Sequence, residues 1–303
     1  MNNLAQTQKP KFSVAITTKG YQSLINNTLR DPQKANRFVS SITSAVAVNP
    51  ALQDCEAGTI LAGALLGESL NLSPSPQLGQ YYLVPFKSKE KRDRSGNVIS
   101  PETVKAQFVL GYKGYIQLAL RSGVYADIDA MEIKEGEYTG KDTMTGKPKF
   151  SFIEDDDERD QLETVGYMAY FEYLNGFRKV IYWSKKKMMA HADKYSPAFS
   201  AKAYQDIQDG KIAERDMWKY SSFWYKSFDD MAKKTLLRQL ISRWGLMSIE
   251  MQTAFENDTS VKEINEKNEI VTVDELSPAS ENPPTIPEAT DAKTQVNLND
   301  LPD

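Results

Sequence analysis

The sequence predicts an α+β domain: an antiparallel sheet with a long hairpin, packed against helices and followed by a disordered acidic C-terminal tail. Three observations predict it. Runs of alternating apolar residues lie between segments with helical period. The clearest pair of strands is joined by Asn175-Gly176, a preferred two-residue hairpin turn. After Asp258 the chain is rich in Asn, Glu, Pro and Thr and poor in aromatics, a composition that buries too little surface to fold.

Taken in order, residues 1–27 read as a weakly ordered N-terminal arm with a helix near Gly20–Leu29. Asp31-Pro32, a cap followed by proline, starts a helix over Pro32–Val48 that Asn49-Pro50 interrupts. A second helix over Glu56–Leu70 stops at Asn71, before Pro74 and Pro76; its Gly58, Gly63 and Gly67 read as close helix packing. These make a helical lobe, 28–72. A β-rich and helical body spans 73–257. It opens with a strand over Gln80–Phe86 and a charged excursion, Lys87–Pro101, turning at Ser95-Gly96-Asn97. Val104–Leu110 returns as the second arm of a long hairpin, and a helix over Lys113–Arg121 follows. Tyr125–Lys134 and Lys149–Ile153 read as strands, and Glu154–Glu163 as an acidic loop. Thr164–Leu174 and Phe177–Trp183 form the Asn175-Gly176 hairpin. Ser184 caps a helix to Lys194. Pro197–Lys211 is partly helical. A last large helix starts near Arg215 or Phe223 and runs to Trp244, ending at Gly245. Residues 258–303 form the tail.

A chain of 303 residues, 40% hydrophobic, buries a full core. Its single cysteine, Cys55, forms no intramolecular disulfide and suits a reducing cytoplasm. Met1–Pro10 is polar and does not read as a signal peptide. Thr59–Leu66, the most apolar run, is too short and too glycine-broken to span a bilayer. The net charge of −4 is unevenly spread. Residues 258–303 hold 11 acidic residues and 3 lysines, a net of −8, which leaves +4 for the rest. Between Trp183 and Trp244 stand 13 Lys or Arg against 7 Asp or Glu, a local net of +6. Groove potential governs binding of polyanions more than total charge does.

Several chemistries are excluded or weakened. No GxxxxGK[ST] loop is present: Gly140-Lys141, Gly146-Lys147 and Gly210-Lys211 are not followed by Ser or Thr. The lone histidine, His191, lacks a nucleophile elbow to serve and reads as a packed or solvated side chain. Zinc sites need more Cys or His than the chain has. Asp127 and Asp129 share one strand face by period two, and Glu132 lies close by; together they are the candidate ligands of a Mg²⁺-dependent nuclease, against a plain solvated strand.

Cations recur in four places. In Phe223–Arg238, Trp224, Phe228, Met231 and Thr235 mark one buried helical stripe. Lys226, Asp230, Lys233, Lys234 and Arg238 fall on the other arc. Asp230 is placed to pair with Lys226 or Lys234, so Lys233 and Arg238 are expected to carry charge for an anionic partner. In Gly111–Gly123, Lys113, Gln117 and Arg121 form a polar stripe at i, i+4 and i+8. Gly111 and Gly114 there suit either close approach of a phosphate to a helix N-terminus or a simple strand-to-helix turn. Lys185, Lys186 and Lys187 oppose the dipole of the helix they open, which suits an anionic partner or a surface lysine run. The excursion carries Lys87, Lys89, Lys91, Arg92 and Arg94, with Val98 and Ile99 near its tip. It suits a finger with an apolar wedge for a base step, a flexible loop or a subunit contact.

The segments Phe223–Arg238 and Gly111–Gly123, with the order of parts between them, resemble the RecT family of phage single-strand annealing recombinases. The resemblance covers roughly Thr28 to Ile249. It implies a protein that binds single-stranded DNA without sequence preference, anneals complementary strands without ATP, and assembles into rings or helical filaments. It implies DNA contacts for Lys113 and Arg121, and for Lys233, Lys234 and Arg238. With the cations read above, the candidate DNA-binding set is Lys113, Gln117, Arg121, Lys185, Lys186, Lys226, Lys233, Lys234 and Arg238. Lys87, Lys89, Arg92, Val98 and Ile99 are the candidate finger. Residues 28–257 are then the DNA-binding and oligomerisation core. No catalytic residue, metal site or required cofactor is implied; Mg²⁺ is an aid to binding or assembly at most. The expected partners are single-stranded DNA, annealed duplex and further copies of the chain. A host single-strand-binding protein or a phage exonuclease is the candidate partner of the tail. The competing readings are the nuclease and a structural phage protein whose helices only build oligomers.

Overall fold

The computed structural model describes residues 10–88, 91–92, 98–100, 102–265, 267 and 269–273. Four helices come first: α1 (Phe12–Ala15), α2 (Lys19–Leu29), α3 (Pro32–Val48) and α4 (Ala57–Ser69). Asp31 caps α3 by accepting from the backbone N–H of Gln33 at 2.8 Å and Lys34 at 3.2 Å, with Pro32 at the first position. α4 is apolar on every side through its middle, where Thr59–Leu65 and Gly67 are buried, so it serves as the central post of the lobe. The arm expected to be weakly ordered is part of this core from residue 12 onward: Phe12, Ile16 and Ile25 are buried. Phe12 and Ile16 stand one helical turn apart, a two-residue signal too short to register as periodicity.

The first sheet has the strand order β1 (Tyr81–Ser88), β4 (Thr103–Leu110), β10 (Ser260–Ile264), β11 (Ile270–Val273). β1 (Tyr81–Ser88) and β4 (Thr103–Leu110) form the long antiparallel hairpin, in register from Tyr81 opposite Leu110 to Ser88 opposite Thr103. β2 (Lys91–Arg92) and β3 (Val98–Ser100) pair beyond it.

The second sheet has order β5-β8-β9, from β5 (Tyr125–Lys134), β8 (Thr164–Tyr173) and β9 (Arg178–Ser184). The β8–β9 connection is a three-residue loop, closed by the Tyr173 N–H donating to the Phe177 carbonyl at 2.9 Å. Gly176 takes its left-handed position at φ 83°, so the hairpin was foreseen but its turn is one residue longer. The hairpin of β6 (Tyr138–Lys141) and β7 (Pro148–Phe150) folds onto the outer face, where Tyr138 stacks on Tyr182 at 4.3 Å between centroids. The acidic stretch expected as a loop contains a short helix, α6 (Asp156–Asp160), capped by Asp155 with three acids in its first turn.

Five further α-helices follow among the described residues: α7 (Lys185–Tyr195), α8 (Ala201–Gln208), α9 (Phe223–Lys226), α10 (Phe228–Trp244) and α11 (Ile249–Asn257), with a 3₁₀ turn at Glu214–Lys219. The expected last long helix is broken at Ser227, whose φ −148° and ψ 60° are not helical. The aromatic stripe survives the break because Trp224 and Phe228 still pack edge to face at 5.3 Å. α10 lies on the inner face of the second sheet, where Leu236, Leu237, Leu240 and Ile241 join Tyr167, Ala169 and Phe171 in the core.

The tail boundary moves. β10 (Ser260–Ile264) pairs with β4, and β11 (Ile270–Val273) pairs with β10. Asp258, Ser260, Val261 and Lys262 are buried. Composition averaged over 258–303 concealed the apolar run Ile270–Val273 and the segment Val261–Ile264, which is apolar only at its ends. Residues 274–303, the rest of the expected disordered tail, lie outside the described residues. Among the described residues no helix is long and apolar enough to cross a membrane.

Candidate nucleic-acid interface

The two segments that carry the resemblance meet in the interior. α5 (Tyr112–Arg121) packs against α10, and between them stands Asp258, its side chain 2% exposed. Asp258 accepts from Lys234 Nζ at 2.9 Å, Arg238 Nη1 at 3.1 Å, Tyr115 Oη at 3.0 Å and the Leu110 backbone N–H at 2.9 Å. Arg238 also donates to Tyr115 Oη at 3.1 Å. Burial, and then the charge of Asp258, pushes the Tyr115 hydroxyl well above its ordinary value, so it stays a donor. This hub ties α5, β4 and α10 to the start of β10.

The hub changes the standing of the expected DNA contacts. Lys234 is buried and Arg238 mostly so, both against a carboxylate that the sequence reading had placed in a disordered tail. Lys233 lies between Asp230 at 3.1 Å and Glu132 at 3.3 Å, with its ammonium 4.7 Å from the Tyr112 ring centre. The expected free charge of Lys233 and Arg238 is therefore already compensated. Arg121 donates to the carbonyls of Leu70 at 2.9 Å and Asn71 at 3.1 Å, bracing the C-terminal end of α4. Lys185 pairs with Glu163 at 3.6 Å. Lys113, Gln117, Lys186 and Lys226 are exposed. Lys87 pairs with Glu102 across the long hairpin at 2.6 Å. Val98 is exposed. Lys89 and the side chains of Arg92 and Ile99 lie outside the described residues.

Gly111 and Gly114 do not face a ligand space. A Cβ on Gly111 would stand 2.0 Å from the Gly79 carbonyl oxygen, and one on Gly114 would stand 2.2 Å from that of Gln80. The close approach they permit is to the chain's own backbone, and carbonyl oxygens there leave no welcome for a phosphate.

A second concentration of cations sits at the free edge of the second sheet. On β9, Lys179 and Trp183 point to the inner face, as do their β8 partners Phe171 and Tyr167. Both β9 residues are half-buried. The Lys179 ammonium lies 4.4 Å from the Trp244 ring centre, and the Arg243 guanidinium 5.5 Å from the same ring. Lys187, on α7, lies 4.2 Å from the Trp183 ring. Burial, and then the charges of Lys141 and Arg243, push the Lys187 ammonium below its ordinary value. Lys141, Lys179, Lys187 and Arg243 thus come from four elements, and none pairs with a carboxylate among the described residues. His191 packs edge-on to Trp183 at 5.1 Å, as its packed reading expected.

Residues 36–272 match the RecT family. The chain belongs to the RecT family. Family membership places it among the DNA-binding, single-strand annealing proteins of DNA recombination. It is 32% identical to the uncharacterised protein YqaK of Bacillus subtilis (strain 168) over 275 residues, 88% of this chain and 82% of YqaK. It is 28% identical to the RecT protein of Escherichia coli (strain K12) over 144 residues, 45% of this chain and 51% of that one. The family match runs past Asp258, through β10 and into β11 as far as Thr272.

Within this RecT-family fold the nuclease trio does not converge. Asp127 and Asp129 lie on the outer face of β5, opposite Glu172 and Tyr170, whereas Glu132 lies on the inner face opposite Tyr167. Asp127 accepts from Tyr170 Oη at 2.8 Å, and Glu132 is held by Lys233. Burial, and then the Asp127 bond, holds the Tyr170 hydroxyl up to about 12. The ordinary tyrosine value is about 10, so burial and the bond together make the neutral Tyr170 hydroxyl a source of stability that is full below pH 10 and lost as pH rises through about 12. Asp127→Asn is expected to lower the Tyr170 midpoint, read by NMR titration of carbon-labelled tyrosine; an unmoved midpoint would show that burial acts alone.

Of this cluster the sequence singles out only Lys187, as part of a lysine run, and not Lys141, Lys179 or Arg243. One signal was available. Lys179 and Trp183 share a strand face by period two, so a cation occupies a position where the pattern demands core. No local signal brings Lys141 or Arg243 to that edge.

Proposed function

We propose that the protein anneals complementary DNA strands without ATP and without enzymatic turnover, gripping the first strand by its backbone along the strip of Lys141, Lys179, Lys187 and Arg243. The observation that carries this reading is the strip itself: four cations from four elements, unpaired with described carboxylates, beside two tryptophan faces. Folding brings like charges together there against their mutual repulsion, and an anionic occupant relieves it. A polynucleotide backbone supplies regularly spaced phosphates, and indole faces suit any base. Exposed Lys186, Lys113 and Lys226 add further attraction outside the strip.

Bases held by this grip face outward and sample a second strand, so Watson–Crick pairing supplies the discrimination. The protein contributes charge neutralisation and removal of hairpins. Copies of the chain assembled as a ring or helical filament extend the grip along the strand and make it multivalent. The setting is the cytoplasm of a bacterial host.

The test is the salt dependence of oligo-dT binding. Each lost phosphate contact lowers the slope of log K against log salt by about 0.7 for single strands, so Lys179→Ala with Arg243→Ala is expected to lower it by about 1.4. Affinity falls equally for every sequence, and annealing slows with it. An unchanged slope and unchanged annealing in that variant would reject the strip as the grip.

A further inference from the structure

We infer that residues 274–303 dock on this same strip when no DNA occupies it, and so act as a built-in competitor of the strand. The inference rests on the strip being the DNA grip. Three observations carry it.

The first is charge. Residues 274–303 hold seven acidic residues and one lysine, a net of −6, against a strip of four cations with no described carboxylate partner. The repulsion among Lys141, Lys187 and Arg243 favours any anion that reaches them. The second is reach. Val273 pairs with Val261, three residues past Asp258, and Asp258 holds Arg238, five residues before Arg243 on α10. Helical and extended rises of about 1.5 and 3.3 Å per residue put the root of the segment within about 30 Å of Arg243. A random-coil chain of 30 residues spans on the order of 30 Å root-mean-square. Tethering over that span gives a millimolar effective concentration, so weak docking suffices. The third is chemistry beyond charge. Val296, Leu298 and Leu301 alternate with Asn and Asp near the end of the segment, and the strip offers Trp183 and Trp244 for those apolar side chains.

Such a competitor discriminates by length. A short oligonucleotide meets one strip and one tail on equal terms. A long strand engages strips on several copies at once and displaces their tails together.

The test uses the full chain with its seven acidic residues after Val273 changed to their amides, with the native strip or with Lys179→Ala and Arg243→Ala. Tail neutralisation on the native strip is expected to tighten oligo-dT binding about five- to tenfold at about 50 mM salt, because the competent fraction rises. The gain should shrink at high salt and vanish in the strip variant. A fluorescent peptide of residues 274–303 should bind the tail-neutralised chain with the native strip and be released by oligo-dT. Absence of peptide binding, or an equal gain in both strip backgrounds, would overturn the docking. Native oligo-dT affinity in the strip variant would instead overturn the DNA grip, while the peptide titration still reports docking by itself.

Discussion

Asp258→Ala is expected to destabilise the protein by about 3–5 kcal/mol, the usual result of removing one partner from a buried ion pair. The geometry explains why the effect is large. Four donors point at this carboxylate: Lys234, Arg238, Tyr115 and the Leu110 backbone N–H. Arg238, with a side chain 27% exposed, can turn its guanidinium toward water. Lys234, at 8%, cannot, and an unpaired ammonium remains inside. Lys234→Met removes that ammonium and keeps much of the volume. Adding it to Asp258→Ala should therefore restore part of the loss, a coupling that a double-mutant cycle in urea unfolding reads directly. A loss below about 1 kcal/mol in the single variant would mean that solvent reaches the hub and that the carboxylate is not the keystone of α5, β4 and α10.

Gly114→Ala is expected to be at least as damaging, by about 3 kcal/mol or more, with loss of soluble protein as its extreme. The new methyl would meet the Gln80 carbonyl oxygen at 2.2 Å and Leu110 Cδ1 at 2.9 Å. Backbone oxygen cannot swing aside as a side chain does. α5 must lift from the Gly79-Gln80 turn and loosen the 2.8 Å bond from the Gly111 N–H to the Gln80 carbonyl. Gly20→Ala, on exposed α2 with nothing within 4 Å of the added Cβ, should instead stabilise by about 0.5–1 kcal/mol. The thermal midpoints of the two variants should move in opposite directions. A folded, stable Gly114→Ala protein that had lost only its affinity for oligo-dT would restore the phosphate-site reading of this turn.

Much of the fold was legible from local pattern. The Pro32–Val48 helix, the long hairpin and the β8–β9 pair follow from a proline cap, period-two alternation and a glycine turn, and each stands within a few residues of its expected place. The misses have one cause. Phe12, Ile16 and Ile25 in the arm, and Val261 in β10, are buried but stand in apolar stretches too short to show a period, and β10 is placed by its pairing with β4, far away in sequence. The same distance misled the site. Lys233 and Arg238 look free only while Asp258 is remote and Glu132 is left out of account. Local spacing weighs the charges within one helix. It cannot weigh a carboxylate brought in by a strand from another part of the chain.

The placement of β10 beside β4 also sets the timetable of assembly. The Leu110–Asp258 bond joins positions 148 residues apart, so a chain growing from its N-terminus has no means of closing its first sheet until nearly all of the described fold has been made. Until then the β4 edge lies open and two cations await their acid. Closure of so long a loop makes for slow maturation and a nascent molecule prone to pairing with its neighbours, with the last strands acting as the clasp that ends that exposure.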